Sequence, residues 1–133
     1  MGAYVVSQLV KAMLKSRIQV DGSRVLVMGL TFKENCPDLR NSRVVDVIDE
    51  LEGFGCKVDI HDPWADLEEA RAEFNGRIVE TPHPGLYDAA IIAVAHNEFR
   101  QMGIERITGF CKPRHVLFDL KCMFGPGEAS LRL

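Results

Sequence analysis

The chain has 133 residues and a mass of 14.9 kDa, enough for one packed core and too short for two ordinary domains. Hydrophobic residues make up 47% and charged residues 26% at a mean hydropathy of -0.02, a globular balance that excludes disorder, collagen and coiled coil as the main reading. A net charge of -3 and a pI near 5.8 leave no basic field for nucleic acid, and the 16 lysines and arginines are scattered along the chain.

No apolar run approaches the roughly 20 residues that cross a bilayer, and the start lacks the pattern of a signal peptide, so the expectation is a cytoplasmic chain with no membrane partner. The four cysteines, Cys36, Cys56, Cys111 and Cys122, include no C-x-x-C pair, and the four histidines show no H-E-x-x-H spacing. That pattern predicts free thiols serving as filler and no metal site.

In chain order, residues 3–16 carry Tyr4, Val5, Val6, Leu9, Val10, Met13 and Leu14 at steps of three and four, the signature of an amphipathic helix. After Asp21-Gly22-Ser23, residues 24–30 form a continuous apolar run, as expected for a strand buried on both faces. A polar loop over 31–41 leads to a second helix marked by Val44, Val45, Val47, Ile48, Leu51 and Phe54. Residues 57–61 read as a strand turned by Asp62-Pro63, residues 66–74 as an acidic surface helix, and 77–79 as a short third strand. A second buried strand at 88–95 precedes short helices at 98–102 and 105–109, and 116–119 closes the series. Strands alternating with helices in this way predict an α/β fold, a doubly wound and mainly parallel sheet of 3-2-1-4-5 order with a helix in front.

Open sheets of this type bind ligands beyond the carboxyl ends of their strands, where the winding reverses. The loop over 29–40 leaves from that point with Lys33 and Arg40 as cations, backbone donors at 29–32 and the positive end of the helix starting near Asn41 or Ser42. Such a set suits an anion such as a diphosphate, and Phe32 offers an aromatic face for a base or ribose. Surface charges and a core phenylalanine would show the same spacing, so periodicity leaves both readings open. A dinucleotide fingerprint needs G-x-G-x-x-G at the first strand-to-helix turn, and only Gly29 is there. Gly125-Pro126-Gly127 reads as a turn, and His96 and His115 as structural histidines without a catalytic neighbour.

The residues MGAYVVSQLVKAM followed by RVLVMGLTFKENCPDLRNSRVVDVIDEL closely resemble the UDP-glucose/GDP-mannose dehydrogenase family over essentially the whole chain. On this resemblance, residues 1–20 correspond to the end of a central inter-domain helix with its linker, and 21–133 to a C-terminal Rossmann-like domain that binds a UDP-sugar. The wording GLTFKENCPDLRNS is similar to that of UDP-N-acetylhexosamine 6-dehydrogenases, which make uronic acids for bacterial O-antigen, capsule or Vi-type polysaccharide. The resemblance implies an oxidoreductase that converts the sugar C6 hydroxyl to a carboxylate in two NAD-dependent steps through a thiohemiacetal on a cysteine. The family carries its NAD fingerprint and its nucleophile outside the stretch matched here, so this chain alone is expected to be inactive, and Cys36 is not that nucleophile. Phe32 and Lys33 match the pair that contacts the UDP-sugar, and Arg40 matches an arginine that reaches NAD of the same or a neighbouring subunit. Lys121 stands where many relatives have an arginine in an Asp-Gly-Arg sequence; lysine keeps the charge and loses the planar fork. The implied partners are the UDP-sugar, the N-terminal NAD-binding and central domains, and a second copy met through the N-terminal helix. The alternative is a free-standing Rossmann-like regulatory module that uses the same loop for another anion.

Overall fold

The computed structural model describes residues 2–40, 42–125 and 127–132. Strands β1 (Arg24–Met28), β2 (Lys57–His61), β3 (Tyr87–Ile92), β4 (Cys111–Asp119) and β5 (Leu131–Arg132) form one parallel sheet in the order β2-β1-β3-β4-β5. The doubly wound order expected from the sequence is borne out. The segment expected as a third strand is reduced to a single bridge, Ile60 to Ile78, on the outer side of β2. The two-residue β5 at the opposite edge was not anticipated, because two residues carry no readable alternation. Its neighbour Ser130 accepts a hydrogen bond from the Leu117 amide at 3.1 Å, which pins the tail to β4.

Successive strand side chains point to opposite faces, and here both faces are covered. Val25 and Val27 of β1 pack with Ala89, Ile91, Val116 and Phe118 beneath helices α1 (Gly2–Lys15) and α2 (Val44–Gly53). Leu26 and Met28 pack with Tyr87, Ala90, Ile92 and Leu117 against Phe99 and Ile107 of α4 (Asn97–Gly109). The acidic helix α3 (Leu67–Glu73) buries only Ala70, and its N-cap Asp66 accepts from the Glu69 amide at 2.9 Å. Gly103, at φ 78° and ψ 162°, interrupts α4 and so yields the two short helical pieces read from the sequence. In α1 the inner face, Val5, Val6, Leu9 and Met13, joins the main core, whereas Tyr4 and Leu14 stay 59% and 61% exposed.

Candidate functional site

The site begins at the end of β1. Gly29 sits at φ 103°, and a Cβ there would lie 2.6 Å from Val94 Cβ and 2.8 Å from Val94 N. Only glycine lets the chain leaving β1 pass this close to the chain leaving β3, at the point where the winding reverses. The Gly29 amide donates to the His61 carbonyl at 2.9 Å and ties the turn to the end of β2 as well.

The next residues are organised by Asp62. Its Oδ2 accepts from the amides of Leu30 at 2.6 Å and Thr31 at 3.0 Å, and its Oδ1 from those of Trp64 at 2.7 Å and Ala65 at 3.1 Å. His96 Nε2 lies 2.9 Å from Oδ2, both side chains being almost fully buried. Burial alone would raise the Asp62 pKa, but the hydrogen bonds from His96, Leu30 and Thr31 outweigh it and hold the carboxyl at about 2. His96 is therefore structural, as the sequence reading expected, although its partner could not be named from the sequence.

One expectation is overturned here. The backbone donors of 29–32 do not await an anion, because Gly29 N bonds His61 O, Leu30 N and Thr31 N bond Asp62, and Phe32 N bonds the Asp38 carbonyl at 2.7 Å. What the loop offers outward is side chains. Phe32, 54% exposed, and Lys33 line a pocket of about 200 Å³ together with Thr31, Glu34, Arg43, Val44 and Lys121. Every wall of this pocket is a segment that follows the carboxyl end of β1, β3 or β4. Lys121 is carried by a turn that the buried Asp119 shapes by accepting from the amides of Lys121 at 3.3 Å and Phe124 at 2.9 Å. Thus Phe32, Lys33 and Lys121, nearly ninety positions apart in the chain, are brought together.

Arg40 is not part of this group. Its guanidinium pairs with Asp38 two residues back, at 3.1 Å, and it borders a separate cleft with Ser42, Asp46, Glu69 and Glu73. Arg43 was missed by the sequence reading and does line the pocket, at the N-cap of α2. The signal was present, since a cation immediately ahead of a helix N-terminus adds to the field there, but nothing local says which way it faces. Asn41 and Pro126, named above as a helix start and a turn, lie outside the described residues; Ser42 Oγ accepts from the Val44 amide at 3.3 Å and donates to the Leu30 carbonyl at 2.6 Å.

Among the described residues no group of three or more His, Cys, Asp or Glu could hold a metal ion. Burial pushes the Cys111 thiol up to about 12 and raises that of Cys56, which suits filler and not nucleophiles. The residues present do not fit the cradle of a dinucleotide either. The first turn has one glycine, its amides are consumed internally, and the first amide of α2 is taken by Ser42. Among the described residues no helix is long and apolar enough to cross a membrane.

A doubly wound parallel sheet with a cationic pocket over its carboxyl edge defines a Rossmann-like nucleotide-binding domain. The sequence model of the UDP-glucose/GDP-mannose dehydrogenase family, UDP binding domain, matches residues 26–126, and the chain belongs to that family. It is 58% identical over 133 residues to a UDP-N-acetyl-D-glucosamine 6-dehydrogenase of Pseudomonas aeruginosa and 53% identical to one of Salmonella typhi, covering all of this chain and 32% and 31% of those proteins. The chain thus spans about a third of the length of the curated relatives it matches. Among solved structures, a UDP-glucose dehydrogenase from Pyrobaculum islandicum superposes with a TM-score of 0.74 at 30% identity, over 99% of this chain and 28% of that one. An NDP-N-acetyl-D-galactosaminuronic acid dehydrogenase from Methanosarcina mazei gives 0.81 at 22% identity, over 96% and 26%, and shows the shared fold.

Proposed function

We propose that this chain holds the UDP moiety of a UDP-N-acetylhexosamine for an NAD-dependent 6-dehydrogenase that works in the cytoplasm. The observation that carries the reading is the convergence of Lys33, Arg43 and Lys121 with the exposed ring of Phe32 on one pocket at the switch point. Three cations around about 200 Å³ suit a diphosphate, and that volume is too small for a whole nucleotide sugar, since small-molecule sites run to roughly 300–1,000 Å³. The domain would therefore clasp the nucleotide and leave the reacting sugar carbon to a facing surface. Binding energy gathered at the diphosphate then fixes where C6 sits, which raises the rate by orientation.

NAD enters this reading only from outside the chain, because the dinucleotide cradle is missing here. Arg40, exposed and away from the UDP pocket, is the residue proposed to reach NAD held by another part of the longer protein or by a neighbouring subunit. The end of the central helix is assigned to α1, whose outer residues Tyr4 and Leu14 are proposed to meet a second copy.

A calorimetric titration tests the nucleotide assignment. UDP should bind the folded chain where NAD does not, and Lys33→Ala should weaken UDP about tenfold, the loss of one charge-assisted hydrogen bond. A well-folded chain that ignores UDP at millimolar concentration, or binds NAD equally, would refute it. Sedimentation equilibrium tests the second copy: self-association that Leu14→Glu abolishes is expected, and a strict monomer at high concentration counts against it.

A further inference from the structure

We infer that His96 is the positioning residue of the UDP-holding loop, its imidazole fixing residues 31–35 from beneath and so setting where Phe32 and Lys33 stand; the inference rests on the nucleotide assignment above. His96 is 0% exposed and lies just past the end of β3, on the far side of the sheet's switch point from the loop's origin. The Asn35 amide donates to His96 Nδ1 at 2.9 Å, so that nitrogen carries no proton. The ring proton is therefore on Nε2, where it faces Asp62 Oδ2 at 2.9 Å and Thr31 Oγ1 at 3.1 Å. One ring thereby holds both ends of the loop, Thr31 through one nitrogen and Asn35 through the other.

The surroundings fix the ring in turn. Trp64 stacks on it with centroids 6.2 Å apart, Phe99 meets its edge at 5.5 Å, and the Trp64 indole is tied to Glu98 at 2.9 Å. The titratable groups around it are Asp62 and His61 from the end of β2 and Glu98, through Trp64, from α4, while Lys33 and Glu34 on the loop itself are exposed. Asn35 is clamped a second time, since its Oδ1 accepts from the Asn97 amide at 2.9 Å and its backbone takes φ 54°, a conformation that asparagine tolerates. Phe32, Lys33 and Glu34 are exposed, so packing does little to order them; the Phe32 amide bonds the Asp38 carbonyl and Thr31 Oγ1 the Lys33 carbonyl within the loop, and the two His96 anchors tie the loop to the rest of the fold. Holding the loop in advance reduces the entropy lost when a flexible lysine closes on a phosphate.

Two variants and a spectrum test this. His96→Gln keeps a donor toward Asp62 and an acceptor for Asn35, whereas His96→Leu has similar bulk and neither. We expect His96→Leu to bind UDP about tenfold or more weakly and His96→Gln to stay within about threefold of the parent, as the cost of two lost anchors implies. In the free protein, amide exchange at 32–35 should rise in His96→Leu while the β1 and β3 amides stay protected, and the ring nitrogens should show an unprotonated Nδ1. Near-parental UDP binding by His96→Leu, His96→Gln no better than His96→Leu, or a protonated Nδ1 would overturn the inference. Should His96→Leu fail to fold, His96→Gln and the nitrogen spectrum decide. Should the parent chain not bind UDP, the nucleotide assignment fails, and the exchange and nitrogen measurements still decide the role of His96.

Discussion

Gly29→Ala should cost about 3 kcal/mol of folding stability and abolish UDP binding, because it combines a strained backbone with overpacking. The added Cβ would stand 2.6 Å from Val94 Cβ and 2.8 Å from the Val94 amide nitrogen, closer than such atoms approach, and Val94 is itself buried. Backbone strain at φ 103° adds to the clash. Relief requires the segments leaving β1 and β3 to separate, which moves the loop that presents Phe32 and Lys33. Gly22→Ala is the control: its φ is 81°, but nothing lies within 4 Å of its Cβ, so only the backbone term, about 1 kcal/mol, should be felt. Urea unfolding of the two variants measures the difference, and a Gly29→Ala midpoint equal to that of Gly22→Ala would show that the close approach does not exist.

Asp62→Asn is the second large effect, expected at about 3 kcal/mol, since a buried carboxylate that accepts from four amides and His96 is replaced by a group that turns an NH₂ toward donors. The pH dependence carries the same information. The carboxyl is held at about 2 in the folded chain against an ordinary value of 3.8, so its contribution is complete above that ordinary value and is lost as the pH falls through 2. The amount is roughly 2 kcal/mol by linkage. Denaturation followed from pH 6 to pH 2 should show this loss in the parent chain and a flatter profile in Asp62→Asn. Equal slopes would mean that Asp62 is not the hub of the loop.

The architecture was legible because its determinants are local. Residues 25–30 and 89–95 are apolar throughout, as only strands covered on both faces require, and the helices between them carry their own three-to-four periodicity. The resemblance of GLTFKENCPDLRNS marked Phe32 and Lys33, and the structure joins them to Lys121 in one pocket. The rest of the site depends on contacts that no local pattern encodes. Thr31 meets Asp62 across 31 positions and His96 across 65, and these meetings exist only because β1 lies between β2 and β3 in a particular register. The same register turns Arg43 toward the pocket and leaves Arg40 beside Asp38, two arginines three residues apart with nothing in their neighbours to distinguish them. It also consumes the backbone donors that the glycine turn seemed to offer. By itself the sequence determined the elements, their order and which loop carries the cations, through periodicity and turn chemistry acting over a few residues. Which groups face one another across the ends of three strands was decided by the tertiary structure alone, because hydrogen bonds between distant loops form only once sheet register has set their distance.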